Sequence, residues 1–187
     1  MKKNNLFAFS SAKQLAFTAL FATLCCLSTV CIAIPLPLGG YLNIGDVFVL
    51  LSAWCLGPTF GAAAAGIGSA LADIILGYSV YAPATLLIKT LMAFIAYMVW
   101  SFLSNSRKKY TFMLSRAVSA CAGEVCMILG YFLFDSALVG SFVAAAPTLI
   151  TNGIQGIFGA IFSTAVVCVF SRAQRINALF PALRKES

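Results

Sequence analysis

Residues 39–89 read GGYLNIGDVFVLLSAWCLGPTFGAAAAGIGSALADIILGYSVYAPATLLIK, an almost unbroken apolar stretch that nevertheless carries Asp46, Asp73 and Lys89. Apolar runs this long require a lipid environment, in which about 20 residues cross the hydrocarbon core as a helix. A charge placed there costs at least about 2.5–3.5 kcal/mol on insertion scales, so ionisable residues within such segments face a cavity and mark a pathway or a ligand site. Small residues crowd around these charges and let helix backbones approach closely. The expectation is a membrane bundle with a polar cavity.

Composition agrees. Hydrophobic residues make up 61% of the chain and charged ones 9%, with a mean hydropathy of +0.99, whereas about a quarter of a soluble domain is charged. The 187 residues accommodate about six crossings and leave no length for a fused ATPase. The net charge of +7 fits a positive-inside bias better than nucleic-acid binding. Seven cysteines include no C-x-x-C pair, and the chain has no histidine. That pattern matches neither a zinc site nor a disulfide framework, so no metal and no cofactor are expected on this chain. The basic N-terminus precedes a run over 15–34 that is longer than a signal-peptide core and lacks a clear small-x-small cleavage site; it is expected to stay as a first helix.

Six apolar segments are predicted, at 13–34, 44–56, 59–76, 83–103, 111–134 and 147–170, with a polar, cytoplasmic tail at 171–187, all in a single membrane domain. Pro35 and Pro37 stop the first, Gly57-Pro58 separates the second from the third, and Pro83 opens the fourth in a first turn that tolerates proline. The second is short for a crossing and is expected to be tilted or packed inside protein. Lys2, Lys3, Lys13, Arg107, Lys108, Lys109, Arg116, Arg172, Arg175, Arg184 and Lys185 fall on one side of a six-helix topology, and Lys89 is the exception. The alternate loops, about 35–45, 77–82 and 135–146, contain no Lys or Arg. The basic side is predicted to be cytoplasmic, with both termini on it.

At about 1.5 Å per residue, Asp46, Asp73, Lys89, Asn152 and Gln155 all fall in the outer half of this bundle, and Glu124 near its middle. Asn152 and Gln155, at i and i+3, share a helix face, and Glu124, Ile128, Tyr131 and Asp135 follow one stripe. Each polar residue also has a purely structural reading: Lys89 snorkelling, Asp46 capping its helix, and Asp73, Asn152 and Gln155 joining helices. Glu124 is too short to snorkel far; it pairs with Lys89, stays neutral, or meets a ligand. Tyr41, Tyr78, Tyr81 and Tyr131 offer aromatic walls suited to a flat polar heterocycle. On the third segment Gly61, Ala65, Ser69 and Asp73 recur every fourth residue, a spacing for close helix packing. On the first, Ala12/Ala16 and Ala19/Thr23 form a small-xxx-small surface.

The elements GYLNIGDVFVLL, LGPTFGAAAAGIGSALADIILGY, YAPATLLIK, LGYFLFD and TNGIQGIFGA occur in an order that resembles the substrate-binding S components of energy-coupling factor (ECF) vitamin transporters, riboflavin-type subgroup, over roughly residues 12–170. The resemblance implies an all-α bundle of six transmembrane helices in the cell membrane with cytoplasmic termini. It implies capture of a vitamin-like small molecule from outside, riboflavin first and a pyridoxine-type or other heterocycle next. Binding would fall to Asp46, Asp73, Tyr78, Lys89, Glu124, Tyr131, Asn152 and Gln155. It further implies a transmembrane coupling protein and two cytoplasmic ATPase subunits as partners, ATP being hydrolysed by those subunits; this chain has no phosphate loop of the G-x-x-x-x-G-K-[ST] type. The family's coupling surface often carries Ala-x-x-x-Ala on the first helix, which Ala12 and Ala16 match literally and Ala19 and Thr23 match by position. An enzyme is not expected, for want of a nucleophile or metal beside the acids. The alternative is an autonomous proton-coupled carrier or channel using Glu124.

Overall fold

The computed structural model describes residues 11–35, 41–104, 112–180 and Leu183. Helix α1 spans Ser11–Cys31, α2 Gly45–Ile75, α3 Ala82–Ser104, α4 Phe112–Val139, α5 Phe142–Ala145, α6 Pro147–Phe170 and α7 Gln174–Leu179. A two-residue antiparallel ribbon joins α1 to α2, β1 (Ile34–Pro35) pairing with β2 (Tyr41–Leu42). Five stretches are long and apolar enough to cross a membrane.

Within α2 the helix is broken at Gly57, whose φ of 85° and ψ of −174° lie where only glycine is comfortable. Pro58 follows and cannot continue the first arm's hydrogen bonding. The chain folds back there: the Ser52 hydroxyl donates to the Gly61 carbonyl at 2.9 Å across nine residues, a separation of about 13 Å along a straight helix. A Cβ on Gly61 would strike the Ser52 carbonyl, so glycine is what lets the arms touch. The two arms are therefore the second and third predicted segments, and with α1, α3, α4 and α6 they make an all-α membrane bundle of six helices.

The first arm is only 12 residues long, and apart from the partly covered Phe48 every side chain from Gly45 to Leu56 is buried. Val49, Leu50, Leu51, Ala53 and Trp54 form its core with Met92 of α3, Met127 of α4 and Val167 of α6. An arm surrounded by protein need not match the hydrocarbon thickness, which is why a segment of about 18 Å is tolerated. The other long helices carry the lipid-facing coat: Leu15, Leu20, Leu71, Ile75, Leu87, Phe102, Leu133, Ile150 and Ile161 are all exposed. Small residues seat α1 and α3 on the second arm. A Cβ at Gly68 would lie 2.9 Å from the Ala22 carbonyl carbon, and one at Gly66 would lie 2.7 Å from the Leu86 carbonyl oxygen.

Three features depart from the sequence reading. Helix α4 runs five residues beyond 134, to Val139, so Asp135 belongs to a helix and not to a loop. Arg116, grouped above with the loop cations, is fully buried inside α4, its guanidinium 4.1 Å from the Trp100 ring centre and 5.2 Å from that of Trp54. Its planar, weakly hydrated head stacks on indole faces where an ammonium would hold its water. The tail beyond α6 is not simply polar: Phe180 packs edge-on against Phe17 and Phe21 of α1, with ring centres 5.0 and 6.1 Å apart, and Leu183 is fully buried. Of the basic residues used for orientation, Lys2, Lys3, Arg107, Lys108, Lys109, Arg184 and Lys185 lie outside the described residues, as does the loop at Pro37, Gly39 and Gly40.

Candidate ligand cleft

Because α2 doubles back, Asp46 at the start of one arm and Asp73 near the end of the other come to the same end of the bundle. A cleft opens there, lined by Thr29, Tyr41, Asn43, Ser69, Asp73, Tyr81, Thr85, Lys89, Tyr131, Asp135, Thr148, Thr151, Asn152 and Gln155.

Its floor is a polar network. Lys89 of α3 pairs with the Asp46 Oδ1 oxygen of α2, both side chains being almost wholly buried. The other carboxylate oxygen of Asp46 accepts from Gln155 Nε2 of α6 at 2.6 Å. The Gln155 carbonyl oxygen in turn accepts from the backbone and side-chain amides of Asn43, at 3.1 and 3.3 Å. Asn43 Oδ1 takes the Gly45 amide at 2.8 Å, and a Cβ on Gly45 would crowd that oxygen and the Thr29 hydroxyl. The Gly-Asp step is therefore glycine for room and aspartate for charge. Asp46 sits in the first turn but Ile44 is the N-cap, without a side-chain hydrogen bond, so the carboxylate binds across helices and does not cap its own.

The walls are aromatic and hydroxylic. Tyr131 of α4 lies beneath the Lys89 ammonium, 5.5 Å from nitrogen to ring centre, and its hydroxyl meets Thr85 at 3.0 Å. The Tyr41 hydroxyl donates to Asp73 Oδ1. Burial, with Asp73 adjoining, holds the Tyr41 phenol well above its usual range, so it stays a donor. Burial and then Asp135 push Tyr81 up to about 12. Tyr78 does not line the cleft; it packs on Tyr41 and Tyr81 at 5.0 and 6.3 Å, forming the rim behind them.

Of the eight predicted binding residues, Asp73, Lys89, Tyr131, Asn152 and Gln155 line the cleft. Asp46 lies just under it, holding Lys89 and Gln155. Glu124 is one layer deeper, against Gly156 and Gly159, where a Cβ at Gly159 would collide with Glu124 Oε1; neither Glu124 oxygen has a hydrogen-bond partner among the described residues. Lys89 thus takes Asp46 as its ion-pair partner, not Glu124. Sequence reasoning did not single out Thr29, Asn43, Thr85, Thr148 or Thr151, which are uncharged residues with no periodic signature. Asp135 was visible as the end of the Glu124–Tyr131 stripe. The four α1 positions Ala12, Ala16, Ala19 and Thr23 are all exposed along one face, away from the cleft.

The family model described as ECF-type riboflavin transporter, S component, matches residues 9–172. An uncharacterized protein in the gap 3′ region of Pyrococcus woesei is 36% identical over 133 residues, 70% of this chain and 84% of that protein. The fold resembles a solved structure described as the S component of a bacterial ECF transporter, with a TM-score of 0.65 at 19% identity over 87% of this chain and 98% of that one. A match over nearly the whole chain, on a six-helix membrane bundle, assigns the protein to transport and not to catalysis: it is a multi-pass membrane protein belonging to the S-component family of ECF-type riboflavin transporters.

Proposed function

We propose that the cleft captures a vitamin-like heterocycle from outside the cell, riboflavin being the first choice and a pyridoxine-type compound the next, for uptake driven by ATP hydrolysed on partner subunits. The observation that carries this reading is the cleft itself. Tyr41, Tyr81 and Tyr131 offer ring faces, while Asn152, Gln155 and Lys89 offer fixed hydrogen-bonding groups at one end of the bundle; a few polar groups among aromatic walls is the usual design of a small-molecule site. Asp46 acts through Lys89 and Gln155, Tyr78 backs the rim, and Glu124 supports the floor from beneath.

In the same proposal both termini are cytoplasmic, which the distribution of Lys and Arg supports. The cleft end then faces outward. A transmembrane coupling protein with two cytoplasmic ATPase subunits would dock on the exposed α1 face of Ala12, Ala16, Ala19 and Thr23, whose small side chains allow close helix approach. Mass spectrometry and absorbance of small molecules released from the detergent-purified protein test the substrate. A stoichiometric flavin supports riboflavin, another vitamin-like compound replaces it, and failure of a full vitamin panel to bind refutes capture.

Glu124 favours one second reading, since a buried acid with two unpartnered oxygens suits a proton-coupled carrier. Proton-dependent flux into liposomes containing this chain alone, lost on Glu124→Gln, would establish it; no flux without partners refutes it.

A further inference from the structure

The chain has a net charge of +7, yet four of its five acids, Asp46, Asp73, Glu124 and Asp135, gather at or beneath the cleft with Lys89 as the single cation among them. Lys89 is already engaged by Asp46. Asp73 of α2 and Asp135 of α4 both face the cleft, at 3% and 7% exposure. One oxygen of each, Asp73 Oδ2 and Asp135 Oδ1, is buried with no hydrogen-bond partner among the described residues.

Several hydroxyls stand near these carboxylates without meeting the two open oxygens. Tyr41 gives its proton to the other oxygen of Asp73, and Thr85 and Tyr131 share a hydrogen bond at 3.0 Å beside Asp73. Tyr81 adjoins Asp135, as does Thr148, which also donates to the Ala145 carbonyl at 2.8 Å. Buried carboxylate oxygens without donors are costly, and in a wall that opens onto a ligand cleft the ligand is what can supply them. A ligand bearing negative charge there would add a third anion with no spare cation to meet it among the described residues of the cleft. The loop sequences at 36–44, 76–81 and 140–146 contain no Lys or Arg that could reach in.

We propose that Asp73 and Asp135 form a donor-reading subsite, which takes the hydroxyl- or ammonium-bearing end of the ligand and rejects its phosphorylated or carboxylated form. This rests on the cleft being the substrate site and adds the chemical class that the site selects. A polyol and a protonated amine share the required chemistry.

The test uses the purified full-length protein and two matched pairs of probes: riboflavin with riboflavin 5′-phosphate for the polyol arm, and pyridoxamine with pyridoxamine 5′-phosphate for the ammonium arm. Affinities are measured by titration calorimetry. In at least one pair the phosphate-free member should bind about 100-fold more tightly, as like charges across a buried contact are strongly disfavoured. Asp73→Asn, which retains an acceptor for Tyr41, and separately Asp135→Asn should each weaken that member about 10–100-fold and shrink the discrimination against phosphate, in variants whose melting and gel-filtration profiles match the parent. Binding and discrimination by the pyridoxamine pair, with neither flavin bound, removes riboflavin and keeps the subsite. Phosphorylated members binding as well as their partners, or discrimination unchanged in both variants, overturns the subsite while leaving substrate capture intact. Binding of no probe overturns the subsite; failure of the wider vitamin panel would then be needed to refute capture.

Discussion

Lys89→Met tests the cleft floor most directly. It deletes the cation that pairs with Asp46, and both side chains are at least 96% buried. The carboxylate keeps its 2.6 Å bond from Gln155 but has no second cation among the described residues of the cleft. Removing one partner of a buried pair costs about 3–5 kcal/mol, because an uncompensated charge is left behind. Near the melting point each kcal/mol moves Tm by about 2–4 °C in a chain of this size, so the loss expected is about 6–20 °C. The complementary change is milder. After Asp46→Asn, Lys89 still has an amide oxygen within reach, the Tyr131 ring at 5.5 Å, and Glu124 as the next acid whose field it feels. Asp46→Asn should therefore cost less than Lys89→Met. The double variant Asp46→Asn/Lys89→Met buries no charge at either position and should recover much of the single-variant loss, giving a coupling of about 1–3 kcal/mol. The assay is thermal unfolding of the four proteins in one detergent, followed by tryptophan fluorescence. A Lys89→Met protein melting within about 2 °C of the parent, or a double variant as unstable as the sum of the singles, would refute the argument that this pair is a coupled, desolvated unit.

Other outcomes follow from single close contacts. Gly57→Ala forces a Cβ into a backbone region that only glycine occupies easily and should cost about 1–3 kcal/mol; unchanged stability by thermal melting would contradict the hairpin geometry. Gly68→Ala drives a Cβ against the Ala22 carbonyl and the Cys25 Cβ and should destabilise the α1–α2 contact by about 1–3 kcal/mol, read as a lower Tm with ligand affinity preserved where the protein stays folded. Ala16→Leu, on the exposed face of α1, should leave ligand binding unchanged and impair co-purification with the coupling subunits; normal assembly and uptake would remove Ala16 from the interface.

Much of this protein was legible in its sequence because lipid imposes simple rules. A helix in hydrocarbon must be long, apolar and internally hydrogen-bonded, so six apolar segments and the break at Gly57-Pro58 could be read. The cost of burying charge singled out Asp46, Asp73, Lys89 and Glu124 for the same reason. What sequence alone could not decide was which of these groups meet. The sequence offered Glu124 as a partner for Lys89, whereas the fold-back at Gly57, not chain proximity, brought Asp46 to it across 43 residues and Gln155 to Asp46 across 109. Asp135 was read as the start of a loop because helix ends fray and leave weak signals; the longer α4 turned it into a cleft wall. Arg116 counted as an orientation cation until Trp54 and Trp100, from two other helices, enclosed it. Periodicity and hydropathy are properties of one segment against its solvent, and the sequence settled those. Pairing, cavity walls and unfilled carboxylate oxygens are properties of several helices at once, and only the packed bundle decided them.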